Sequence, residues 1–324
     1  MRRWLRNLAY KPMRSIKGIA IFLAAAAVFL VVGAIGFVYL APESATRLFL
    51  VLERKQAGLE RNEIDLPDGT RYVYLEGGQG EPLMLLHGFG ANKDSFDRVA
   101  KFLTPKYRVI IPDHIGFAES SRPSDADYSS KAQAERLHLF ASALGIRDIH
   151  LGGSSMGGQI AMSYAAIYRD EVKSLWLLNT AGIWTAPASE LRKTIEQTGE
   201  NPLLIRNDDE FAGLFPWVMA DPPFIPRPIM NELARERIRN FELERRIFTQ
   251  IAGDSIEERV RGLETPTLIV WGDKDRTIHV GTAEILQGLL PRSKVVIMPN
   301  IGHIPVIERP EQSANDYLRF RAGL

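Results

Sequence analysis

The chain has 324 residues, 45% hydrophobic and 24% charged, which suits one large α/β domain with an insertion and a sizeable core. It has no cysteine, which excludes disulfides, thiol catalysis, cysteine-ligated metals and lipid attachment through an N-terminal cysteine. Net charge is +1, yet six of the positive charges (Arg2, Arg3, Arg6, Lys11, Arg14, Lys17) precede residue 18; the remainder, 34 basic against 39 acidic residues, offers no basic stripe for a nucleic acid.

The basic segment 1–17 leads into 23 uncharged residues, GIAIFLAAAAVFLVVGAIGFVYL, at 18–40. At about 1.5 Å per residue a helix of that length crosses the roughly 30 Å hydrocarbon core, so 18–41 is expected to be a transmembrane anchor. A cleaved signal peptide is the competing reading, but its apolar region runs about 7–15 residues and Pro42 stands where cleavage would fall. The positive-inside rule places the N-terminus in the cytoplasm and everything after residue 41 on the far side, the periplasm if the cell is Gram-negative. Ala20 and Ala24 form a small-xxx-small pair that offers a second copy a packing seam, so a homodimer through this helix is one expectation. Residues 42–60 read as a juxtamembrane helix, either a spacer or a brace that keeps the next domain near the bilayer.

From residue 61 strands alternate with helices. Residues 70–75 alternate in polarity and 76–80 turn. Apolar strands follow at 83–86, 107–111 and 174–178, with a helix over 130–144 and another strand running into Gly152. Such alternation indicates βαβ units and a mostly parallel sheet, whose ligands bind at the carboxyl ends of the strands. Residues 184–262 break the rhythm with prolines and bulky side chains and read as an inserted helical cap, including a helical run over 229–251. The core, begun at 61–183, resumes at 263–324 with strands at 267–271 and 294–298 and a closing helix at 311–319.

Chemistry concentrates at the strand ends. Gly153-x-Ser155-x-Gly157, between an apolar strand and a helical stretch, has the spacing of a nucleophile elbow. The turn is too tight for side chains two residues either side of the serine, so glycine is needed there. A serine hydroxyl needs a base, and the base needs an orienting acid. Of six histidines, His303 lies in the loop between the last strand and the last helix, at the active edge. Asp275, just after the 267–271 strand, is the expected acid, with Asp273 as its rival. Backbone N–H groups of Met156 and Phe89 would form the oxyanion hole. His87, Trp184, Leu204, Phe215, Trp217 and Phe224 are expected to border a substrate pocket, although cap packing would also account for each of them. No metal-binding spacing occurs, so no metal and no cofactor are expected.

Taken jointly, His-Gly-Phe-Gly at 87–90, Gly-Ser-Ser-Met-Gly at 153–157, Trp-Gly-Asp-Lys-Asp at 271–275 and Gly-His-x-Pro at 302–305 make residues 60–324 resemble an α/β-hydrolase. Residues 86–94, 201–204, 221–224 and 314–317 resemble cold-adapted bacterial lipases. With the N-terminal span, they also resemble membrane-anchored monoacylglycerol lipases and membrane-anchored bacterial phospholipases A. The resemblance implies hydrolysis of carboxyl esters in acyl lipids through an acyl-enzyme, without a cofactor, at a bilayer. Ala118 departs from the glycine usual in that loop. A carbon–carbon bond hydrolase of the same fold, and a catalytically silent binding protein, are the alternatives.

Overall fold

The computed structural model describes residues 13–324, with side-chain surroundings from residue 18, so the basic segment 1–17 lies outside the described side chains. Helix α1, Met13–Leu40, contains the 23-residue stretch Gly18–Leu40, long and apolar enough to cross a membrane, with mean hydropathy 2.8 and no buried share. A helix apolar all round and left exposed along the span suits lipid rather than a protein core. Ala41 leaves helical geometry, and Pro42 starts α2, Pro42–Gln56, where its missing N–H is harmless. This helix stops before residue 60, because Gly58 turns the chain at φ 67° and Leu59 already opens a strand. Two ion pairs fasten α2 to the domain: Arg54 to Asp94 at 2.5 and 2.9 Å, and Arg98 to Glu53 at 3.3 Å.

Eight strands form one sheet: β1 Leu59–Asp65, β2 Arg71–Gly77, β3 Glu81–Leu86, β4 Tyr107–Pro112, β5 Ile149–Ser154, β6 Val172–Leu178, β7 Thr267–Gly272 and β8 Ser293–Met298. Their spatial order is β1-β2-β4-β3-β5-β6-β7-β8. From β4 to β8 all neighbours are parallel, whereas β1 and β2 form an antiparallel edge. β5 and β7 are buried along their whole length, which explains why they read as continuous apolar runs. One core layer packs Leu151, Leu177 and Ile269 under helices; the other packs Leu85, Trp176 and Val270 against the C-terminal helix Pro310–Ala322. The parallel arrangement delivers the loops after β3, β5, β6, β7 and β8 to one edge.

The insertion between β6 and β7 is helical, as expected, with Glu190–Thr198, Asp208–Val218, Arg227–Arg239 and Phe241–Ala252 as its main helices. The run expected over 229–251 is two helices, not one. Asn240 ends the first, and its side-chain amide donates to Glu236 O at 2.9 Å. Across this break the buried Arg237 and Glu244 pair at 2.8 Å.

Candidate active site

Ser155 sits between β5 and the helix Met156–Ile167 with φ 54° and ψ −117°, a conformation that costs a non-glycine residue on the order of 1–3 kcal/mol. Its neighbours fix it there. A side chain at Gly153 would collide with the backbone of Gly157, and one at Gly157 with the backbone of Leu86 and His87. The Ser155 N–H donates to Leu178 O at 2.9 Å, tying the elbow to the end of β6. The strain presents the hydroxyl at the helix N-terminus, where free N–H groups face outward.

His303 follows β8 and is buried at 6% exposure, with Nδ1 bonded to Asp275 Oδ2 at 2.8 Å. The carboxylate can only accept, so Nδ1 carries the proton and Nε2 is left as an acceptor. Asp275 is held in turn: Oδ1 accepts the N–H groups of Thr277 and Ile278 at 2.8 and 3.0 Å, and Oδ2 also accepts from the Asn179 amide at 2.7 Å. Asp273, the rival acid, points elsewhere and accepts the Asn300 N–H at 2.7 Å, which makes it a turn cap. Ser155 and His303 border the same cavity, with Asp275 behind the histidine.

The other histidines have structural partners or surroundings. His138 stacks on Tyr168 at 3.9 Å, His150 bonds Ser174 at 2.9 Å, and His279 accepts the Gly281 N–H at 3.0 Å. His87 donates from Nδ1 to Gly88 O at 2.8 Å and accepts the His114 N–H on Nε2 at 3.0 Å, so neither nitrogen is free for substrate. Burial lowers the pKa of His87, and burial followed by the adjacent His87 lowers that of His114, so both rings stay neutral.

The loop after β3 passes close over the elbow, where a Cβ on Gly88 would lie 3.3 Å from that of Ser155. Among the described residues, no protein acceptor takes the backbone N–H of Phe89 or of Met156. Two charged fasteners hold this loop. Lys93, itself buried, bonds Asp113 at 2.8 Å and Glu119 at 2.7 Å. Burial pushes the Glu119 carboxyl up, but bonds from Arg61 and Lys93 outweigh it and bring the pKa to about 2. From the cap, the Arg237 guanidinium lies 5.8 Å from the centre of the Phe89 ring and occupies the space a Cβ on Gly90 would need.

The cavity over Ser155 is walled by Leu203, Phe211, Leu214, Phe215 and Met219 from the cap and by Phe89, Ile304 and Val306 from the core, and it reaches Phe49 and Leu50 of α2. Of the side chains expected here, His87 and Phe215 do border it. Four do not, and this corrects the sequence-based expectation. Leu203 faces inward in place of Leu204; Trp184 is half exposed; Trp217 lies 4.0 Å from the Arg276 guanidinium; and Phe224 projects outward at 91% exposure. Leu203 is held by bonds within the cap, its N–H donating to Asn201 Oδ1 at 2.9 Å and its carbonyl accepting from Arg237 at 2.5 Å, which neither composition nor periodicity records.

Sequence reasoning also missed Asn179 and Glu308. Asn179 caps β6 at φ 46° and reaches Asp275; its position at a strand end, level with Ser155, was the available signal. The buried Glu308 accepts the N–H of Gly302 at 3.0 Å and those of Ala220 and Asp221 at 2.8 and 3.0 Å, so it joins the His303 loop to the cap. Nothing local in the sequence marks it. Ala118 adopts φ 46°, the left-handed region, which explains why glycine is usual there.

Residues 81–221 and 226–310 match the family model described as the alpha/beta hydrolase fold. The chain belongs to the α/β-hydrolase family. Within this family it is 43% identical over 289 residues to lipase 1 of Psychrobacter immobilis, covering 87% of this chain and 90% of that protein. It is 29% identical over 300 residues to monoacylglycerol lipase abhd6-B of Xenopus laevis, covering 87% and 88% of the two chains. The crystal structure of a membrane phospholipase A, described as a bacterial virulence factor, matches with a TM-score of 0.85 at 39% identity, over 96% of this chain and 99% of that one. With these relatives, this α/β-hydrolase is a carboxylic ester hydrolase.

Proposed function

We propose that the chain is a membrane-anchored serine hydrolase that cleaves acyl esters of membrane lipids through an acyl-enzyme on Ser155. The observation that carries this reading is the 2.8 Å bond from His303 to Asp275, at the floor of an apolar cavity that Ser155 also borders. Ser155 Oγ attacks the ester carbonyl carbon while His303 Nε2 takes its proton, and Asp275 stabilises the imidazolium. The N–H groups of Met156 and Phe89 hold the oxyanion of the tetrahedral intermediate. Collapse breaks the ester C–O bond, and His303 protonates the departing alcohol. Water then attacks the acyl-serine, gives its proton to His303 and releases the fatty acid, and Ser155 recovers its proton.

The substrate class follows from the walls and from the anchor. The cavity, about 280 Å³, lies at the small end of ligand pockets, which suits one acyl chain at a time. Lipases and a phospholipase A among the relatives support lipid esters. The 23-residue apolar helix supports a single span, with the N-terminus cytoplasmic and the catalytic domain on the opposite face. Its partners on this reading are the bilayer and its lipid, and the chemistry needs no cofactor. A panel of mono-, di- and triacylglycerols and phospholipids, with chain length varied and Ser155→Ala run alongside, tests the reading. Fatty acid should appear with the wild type alone. Faster cleavage of a ring-fission diketone than of any acyl ester would sink it.

A further inference from the structure

The cap segment Asp-Pro-Pro-Phe-Ile-Pro at 221–226 presents two faces. Pro223 and Ile225 line the cavity over Ser155, whereas the Phe224 side chain between them is 91% exposed. Alternate residues of an extended segment point opposite ways, and Pro222, Pro223 and Pro226 stiffen this one, so the inward packing of its neighbours drives Phe224 outward. No packing within the domain explains a phenyl ring held in water. Its position offers a reason. Arg227, which follows at once, shares a surface hollow with Tyr39, at the outer end of the apolar helix, and with Pro42 just beyond it. Three residues of chain span at most about 11 Å, so Phe224 stands close to the level at which that helix leaves the hydrocarbon. Aromatic side chains favour this interfacial layer, and Arg227 beside it is half exposed while paired with Asp209.

We infer that Phe224 is a second membrane contact, whose ring enters the interfacial layer of the bilayer and sets the Pro223 and Ile225 wall of the cavity against the lipid surface. The inference rests on the reading of α1 as a membrane span and adds a partner surface on the cap.

The absence of cysteine makes a single spin label unique. Full-length Phe224→Cys would be labelled in vesicles of phosphatidylcholine and phosphatidylglycerol, and its collisions with lipid-soluble oxygen compared with those with a water-soluble nickel chelate. Leu30→Cys in α1 serves as the lipid control, and Lys131→Cys, on a helix whose lysine side chain is 63% exposed, as the water control. The expected result is a label at 224 that oxygen reaches more readily than nickel, between the two controls. A label at 224 as open to nickel as that at 131, while 30 is in lipid, overturns the inference and leaves the anchor standing. A label at 224 shielded from both reagents, as a second copy covering it would cause, also overturns it. Water exposure at 30 removes the anchor and the inference together. As an independent check, Phe224→Ser should lower hydrolysis of vesicle lipid about tenfold and leave a water-soluble short-chain ester unaffected. Equal loss on both substrates contradicts a role at the membrane.

Discussion

Asn179 donates its side-chain amide to Asp275 Oδ2 at 2.7 Å, the same oxygen that receives Nδ1 of His303. The amide also approaches Gly302 O at 3.4 Å, so one side chain at the end of β6 steadies both Asp275 and the loop that carries His303. Asn179→Ala should therefore lower kcat about tenfold with little change in KM, the effect of losing one hydrogen bond to a charged group. Steady-state kinetics on a soluble ester check this. An unchanged kcat would show that Asp275 is fixed by Thr277 and Ile278 alone.

Glu308 makes a different link, between the His303 loop and the cap. Glu308→Ala strands the N–H groups of Gly302, Ala220 and Asp221, and should cost about 3 kcal/mol or more of stability. Glu308→Gln keeps one acceptor oxygen and should fall between that variant and the wild type. Denaturant unfolding of the three proteins gives the order directly.

Asp97 is buried at 2% exposure and, among the described residues, neither carboxyl oxygen has a hydrogen-bond partner. Burial, and then the charge of Asp94, push its pKa up to about 9 against the pull of Arg54. Between about pH 4 and about pH 9 the folded protein keeps a proton that the unfolded chain releases, so this group makes stability fall as pH rises through that window. Below about pH 4 both states are protonated and the dependence vanishes. Asp97→Asn should flatten the decline and gain most on the alkaline side. Unfolding midpoints at about pH 5 and about pH 8 test this, and parallel profiles for the two proteins would contradict it.

Ala118 holds a left-handed backbone at the cavity rim, at φ 46°. Ala118→Gly relieves strain of about 1 kcal/mol, partly offset by the greater freedom of glycine in the unfolded chain. The expected outcome is a small gain in thermal midpoint with activity preserved. A lower midpoint would mean that the contacts of the Ala118 methyl outweigh the strain.

The elbow turn and the meeting of Asp275 with His303 were legible because each is written in a few contiguous residues. Gly153 and Gly157 are demanded by the local turn itself, and Asp275 and His303 follow apolar strands at predictable places. The parallel sheet was legible for a similar reason: strands such as β5 and β7, buried on both faces, carry an unbroken apolar signature. What escaped depends on contacts across long chain separations. Leu203 rather than Leu204 faces the cavity, where Arg237 bonds its carbonyl, and Phe224 faces away from it between the inward Pro223 and Ile225. Asn179 and Glu308 act on loops some 90 to 125 residues away in the chain, and the Asn240 break matters through the Arg237 and Glu244 pair that spans it. None of these relations leaves a periodic trace.

The central claim is that Ser155 carries the acyl group. Its most direct test is mass analysis of the full-length protein after reaction with a long-chain alkyl fluorophosphonate, followed by digestion to locate the adduct. One adduct on Ser155, lost in Ser155→Ala together with ester hydrolysis, is the expected result. An adduct on another residue, or undiminished hydrolysis by Ser155→Ala, would contradict the account.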